Sequence, residues 1–129
     1  MFTFSKPLDE IIEADLQRLV EDNVEENRQL EYKRELPATG TEAKKEFVRD
    51  VVSFANSAGG HIIFGIAASN GRPREFAPIS VEKIDDAKVR LESIIRTSIE
   101  PPIQGLKIES VKLGSGGALV IEIPRGLFI

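Results

Sequence analysis

A chain of 129 residues, 41% hydrophobic and 29% charged, has the size and composition of one globular domain over residues 1–129 and lies far from disordered or fibrous chains. It holds no cysteine, which excludes a disulfide framework, a thiolate metal site and thiol catalysis. The net charge of −4 argues against a surface that grips phosphates broadly. The charge is uneven, however: residues 1–35 hold ten acidic and five basic side chains, and the remainder eleven acidic and twelve basic.

In chain order, the first expected element is a helix starting at Ser5 or Lys6, with Pro7 suited to its first turn. Leu8, Ile11, Ile12, Leu16, Leu19, Val20 and Val24 recur there at helical spacing. Residues 29–36 alternate, with Leu30, Tyr32 and Leu36 on one side and Glu31, Lys33 and Glu35 on the other, so a strand is expected although Arg34 interrupts the pattern. Pro37-Ala38-Thr39-Gly40 breaks it, and Thr41 is placed to cap a helix over 42–57. That helix turns Phe47, Val51 and Phe54 inward and leaves Lys44, Lys45 and Arg49 towards solvent. Gly59-Gly60 supplies the positive φ of a helix end, and 61–66 reads as a buried central strand. Asn70-Gly71-Arg72-Pro73 makes a turn and 75–79 a short strand. A helix over 80–99 follows, stopped by Pro101-Pro102, and then a hairpin whose arms hold Leu106, Ile108 and Val111 and residues 118–123. The expected class is α/β (α+β), a mixed sheet of about five strands with three helices.

Chemistry concentrates in few places. Glu31 and Lys33 share one strand face, and Glu26 can turn in beside them; two carboxylates and an amine together suit Mg²⁺ or Mn²⁺ at a phosphodiester. A polar strand face with a surface ion pair is the plain alternative. The segment Asn56-Ser57-Ala58-Gly59-Gly60, with Gly65 beyond it, runs from helix to strand, the reverse of phosphate-binding glycine loops. It therefore reads as a structural cap in which Asn56 bonds free backbone groups. His61, the single histidine, reads as a packed strand residue rather than a catalytic base. Lys44, Lys45 and Arg49 on the helix, with Arg72 and Arg74 in the following turn, make a phosphate-binding patch if the fold brings them together. No stretch approaches the ~18 apolar residues of a membrane span, and the N-terminal residues lack a signal-peptide pattern. The expectation is a cytoplasmic protein without a membrane partner.

Leu30-Glu31-Tyr32-Lys33, then Ser53-Phe54-Ala55-Asn56-Ser57-Ala58-Gly59-Gly60, then Ile62-Ile63-Phe64-Gly65-Ile66, taken in that order, resemble the Schlafen AlbA-like (AlbA_2, divergent AAA) domain. The resemblance implies a nucleic-acid-binding module of the kind found at the N-terminus of bacterial proteins described as transcriptional regulators or ATP-binding proteins. In vertebrate Schlafens the domain acts as a metal-dependent ribonuclease through two glutamates and an aspartate. Glu26 and Glu31 match the glutamates, whereas the aspartate position falls at Ala67-Ala68-Ser69. The expectation is therefore DNA binding, with Lys33, Lys44, Lys45, Arg49, Arg72 and Arg74 on phosphates and no cofactor. The alternatives are a Mg²⁺- or Mn²⁺-dependent ribonuclease with Glu26 and Glu31 as ligands and Lys33 beside them, a nucleotide-binding unit, and a protein-interaction or homodimerisation domain. Relatives continue beyond the equivalent of 124–129, so the chain is expected to be an N-terminal fragment of a longer protein.

Overall fold

The computed structural model describes residues 4–126; residues 1–3 and 127–129, on which the expectations about the chain ends partly rest, lie outside the described residues. A 3₁₀ turn (Leu8–Glu10) leads into α1 (Glu13–Glu21), followed by β1 (Leu30–Lys33), α2 (Thr41–Ala55), β2 (Gly60–Phe64), β3 (Ile66–Ser69), β4 (Arg72–Phe76), α3 (Val81–Ser98), β5 (Lys107–Leu113) and β6 (Gly116–Ile123). Four strands form one mixed sheet in the order β1-β2-β6-β5. β1 and β2 run parallel across the α2 crossover, and the other two pairings are antiparallel. β3 and β4 form a separate two-stranded sheet.

Side-chain alternation along the four-stranded sheet divides the core into two layers. Ile62, Phe64, Leu119 and Ile121 point to the face covered by Phe47 and Val51 of α2 and by Ile84, Leu91 and Ile95 of α3. Leu30, Tyr32, Ile63 and Val120 point to the opposite face, under Leu8, Leu16 and Leu19. β2 is central, as its apolar run requires, and Ile62, Ile63 and Phe64 are all buried.

Four local expectations are corrected. The first helix begins at Glu13 because Ile11 and Ile12 are extended (ψ 132° and 174°). The Asp15 carboxylate accepts the Ile12 N–H at 2.9 Å and takes an ion pair from Lys6 at 2.8 Å, fixing a helix start that spacing alone does not show. The break buries Ile11 and leaves Ile12 56% exposed. The strand over 29–36 shrinks to Leu30–Lys33, with Arg34 and Glu35 exposed beyond it. The cap of α2 is Gly40, with φ 112° and no side-chain bond, so Thr41 is the first helical residue instead. Arg72 and Pro73 belong to β4, not to a turn, because Asn70 (φ 54°) and Gly71 (φ 77°) alone reverse the chain, the positive φ pair of a two-residue hairpin.

The end of α2 is a backbone device. The Asn56 N–H donates to Val52 O (2.9 Å) and the Gly59 N–H to Phe54 O (2.8 Å). The Asn56 side chain is exposed and caps nothing among the described residues. Gly59 and Gly60 have φ of 73° and 148°, and a Cβ on Gly60 would strike the backbone of Gln29. Glycine here lets the segment entering β1 lie directly against the start of β2. Gly65 (φ 114°) works similarly at the other end of β2: its N–H donates to Lys33 O, and its carbonyl accepts from Ala77 N–H, each at 2.7 Å. It is the corner at which the chain leaves one sheet for the other.

Candidate nucleic-acid interface

β1 carries chemistry on both faces and at its outer edge. Its register with β2 pairs Glu31 with Ile62 and Lys33 with Phe64, so both charged side chains lie on the α2 side of the sheet. There the Lys33 Nζ reaches Glu31 Oε2 at 3.2 Å and Asp50 Oδ2, from α2, at 3.7 Å. Burial alone would lower the Lys33 pKa, but the carboxylates of Glu31, Asp50 and Glu46 outweigh it and hold the ammonium above its ordinary value. Asp50 is also held above the usual carboxylate range. Burial raises it, Lys33 pulls it down, and the negative charges of Glu31 and Glu46 push it up again. A small pocket of about 140 Å³ opens beside this group, floored by Phe47, Ile62 and Phe64.

Glu26 does not join that cluster. Its Oε2 accepts the Tyr32 N–H at 2.9 Å on the free side of β1, and its own N–H donates to Gly71 O at 2.7 Å in the β3–β4 turn. Tyr32 in turn donates its hydroxyl to Val24 O at 2.6 Å. Burial, then the Glu26 charge, hold the Tyr32 phenol above its ordinary pKa. Position 68 is an exposed alanine, and no group of three His, Asp or Glu among the described residues is arranged to hold a metal ion. With Glu26 bonded to backbone, Glu31 and Asp50 both paired to Lys33 and no acid at position 68, the residues present do not fit a three-carboxylate metal centre.

The basic residues singled out in the sequence fall into two groups. Lys44, Lys45 and Arg49 are exposed on α2, which packs on α3 and β6. Arg72 and Arg74 are exposed on β4, which packs on β3 and α1. Lys45 makes a loose ion pair with Glu42 (3.9 Å) and Arg72 with Glu25 (3.5 Å). Lys33 is occupied by its two carboxylates and lies apart from both groups in role. His61 is buried and accepted into the sheet, its Nε2 3.0 Å from Glu122 Oε1 on β6; burial lowers its pKa against the opposing pull of Glu122.

Two features were missed by sequence reasoning. Asp50 is three residues after Phe47 and four before Phe54, so an acid on the apolar stripe of α2 was the available signal. A groove of about 880 Å³ lies between the loop after β1 and the first turns of α3, where Arg34, Lys83 and Arg90 alternate with Glu35, Glu75 and Asp86. Arg90 ties its walls together by donating to Pro37 O at 2.8 Å. Only the fold brings those segments together.

The family model described as "Schlafen, AlbA_2" matches residues 26–128. Among solved structures, the N-terminal domain of an ATP-dependent DNA helicase RecG-related protein from Nitrosomonas europaea, determined in solution by NMR, shares the fold. Its TM-score is 0.58 at 21% identity, covering 86% of this chain and 71% of that one. Comparison with curated proteins gives no match. Among the described residues no helix is long and apolar enough to cross a membrane. The ordered strand, helix cap and buried strand, together with the match over residues 26–128, make this chain a member of the Schlafen AlbA_2 family.

Proposed function

We propose that the chain is a nucleic-acid-binding module that contacts DNA through phosphates, in a bacterial regulatory protein located in the cytoplasm. The observation that carries this reading is that Lys44 and Arg49, both on α2, are exposed and form no ion pair with a described carboxylate. Cations held at the surface without partners attract phosphate by counterion release, which does not require net positive charge over the whole domain. The family supports nucleic acid as the ligand. The likeness to a domain of a DNA helicase-related protein supports DNA.

The test is fluorescence anisotropy with labelled double-stranded DNA, single-stranded DNA and transfer RNA over a salt series, with and without Mn²⁺, followed by inspection of the recovered probes. Affinity should fall linearly on a log–log plot and need no divalent ion. Lys44→Ala/Arg49→Ala should reduce the slope on duplex DNA by about 2, at roughly 0.9 per phosphate contact. Absence of salt-dependent binding to every probe would overturn the proposal. Mn²⁺-dependent cutting abolished by Glu31→Gln would replace it with the ribonuclease reading.

A further inference from the structure

β5 closes the four-stranded sheet with an edge that no other strand covers among the described residues. Its seven residues pair with β6 from Lys107↔Glu122 to Leu113↔Gly116. Among the described residues no hydrogen bond outside that ladder reaches its backbone. An antiparallel strand aims its alternate N–H and C=O groups away from its one neighbour, so β5 presents a row of unpaired donors and acceptors. The opposite edge is treated differently: Glu26 takes the outward Tyr32 N–H of β1. What crosses the β5 edge is one loose contact, in which Glu109 reaches Lys88 of α3 at 3.7 Å, both side chains being 36% exposed.

We infer that β5 is the seam of a homodimer, pairing antiparallel with β5 of a second copy about a twofold axis at Ile108, so that each Lys107 faces the partner's Glu109. The charges select this register. Across an antiparallel seam, opposed residues must lie on the same face of the sheet, which restricts the axis to residue positions. An axis at Glu109 or at Lys107 sets like charges opposite each other, and one at Ser110 or Val111 leaves Lys107 and Glu109 facing uncharged residues. The axis at Ile108 forms two Lys–Glu pairs, one on each side, and places Ile108 against its own copy. Breaking the exposed Lys88–Glu109 contact to do so costs little, because such pairs contribute about 0–1 kcal/mol.

The layer above the sheet is consistent with the same seam. α3 packs on both β6 and β5. With strands about 4.8 Å apart, the twofold therefore brings the two α3 helices to about 10 Å, a normal helix-packing distance. Val81, 51% exposed, and Asp85 line the β5 side of α3 beside Ser110 and Lys112, where the second copy would cover them.

Sedimentation velocity over a concentration series tests the inference. Wild-type protein should approach twice the 14.2-kDa chain mass. Lys107→Glu and Glu109→Lys, each setting like charges opposite one another twice, should each weaken the dimer about tenfold or more. The double exchange Lys107→Glu/Glu109→Lys should restore it. Lys107→Glu also sets a carboxylate opposite Glu122 of the same chain, and Glu109→Lys removes the contact with Lys88. The melting temperature should therefore fall only by the small amount that exposed pairs contribute, while circular dichroism stays native and shows that the variants are folded. A wild-type chain that stays monomeric, single variants that dimerise like wild type, or a folded double exchange that does not recover would each overturn the seam.

Discussion

The two sides of β1 use their polar groups oppositely. On the α1 side, Leu30 and Tyr32 are buried, and the polar groups nearby serve the backbone: Glu26 binds the Tyr32 N–H and the Tyr32 hydroxyl binds Val24 O. On the α2 side, Lys33 pairs with Glu31 at 3.2 Å and with Asp50 at 3.7 Å, all three side chains remaining about one-third exposed. The difference teaches which carboxylate can be spared. A buried N–H left without its acceptor carries a full desolvation cost, whereas a partly exposed ion pair that is broken recovers much of its loss from water.

The contrast breaks most visibly at Leu30, which has no exposed surface. Leu30→Ala should destabilise the domain by about 2–5 kcal/mol, seen as a lower urea midpoint at unchanged slope. Next comes Glu26→Ala, which strands the Tyr32 N–H at the sheet edge; about 1–3 kcal/mol should be lost. Glu26→Gln, which keeps an acceptor oxygen, should lose visibly less, and equal losses would show that the bond to Tyr32 is not what Glu26 contributes.

The smallest effect belongs to the other face. Asp50→Asn should stay within about 1 kcal/mol of wild type near neutrality. Its signature is in the pH dependence. The folded pKa of Asp50 lies above the ordinary 3.8, so its contribution is fully present below 3.8 and is lost as pH rises through the higher folded value. Urea unfolding followed from pH 3.5 to 6 should show that loss in wild type and not in Asp50→Asn. A parallel pH dependence in both proteins would show that another group titrates there.

Much of the scaffold was legible in the chain. The α2 stripe of Phe47, Val51 and Phe54, the apolar run from Ile62 to Phe64, the α3 stripe from Ile84 to Ile95 and the final hairpin follow from periodicity, and Gly59-Gly60 marks the α2 end. What escaped was decided by a few local bonds competing with propensity. Asp15 on the Ile12 N–H starts α1 late, and Gly65 turns an apparently continuous strand run into two strands of different sheets.

The candidate site was less legible. Sequence placed Glu31 and Lys33 on one face correctly, because alternation is a local property of a strand. It grouped Glu26 with them by proximity along the chain, whereas the β3–β4 turn holds Glu26 at the strand's edge through Gly71 O. It did not include Asp50, which reaches Lys33 only because the α2 crossover returns over β1.

The sequence by itself thus determined the order and type of most elements, the buried central strand and the family to which the chain belongs, since these rest on short-range periodicity and ordered motifs. Tertiary structure alone decided which carboxylate serves backbone and which serves Lys33, that the basic residues of α2 and β4 occupy separate layers, and that one sheet edge is plugged by Glu26 while the other has no such plug among the described residues. Those outcomes depend on contacts between residues far apart in the chain, and no local pattern encodes the distance between them.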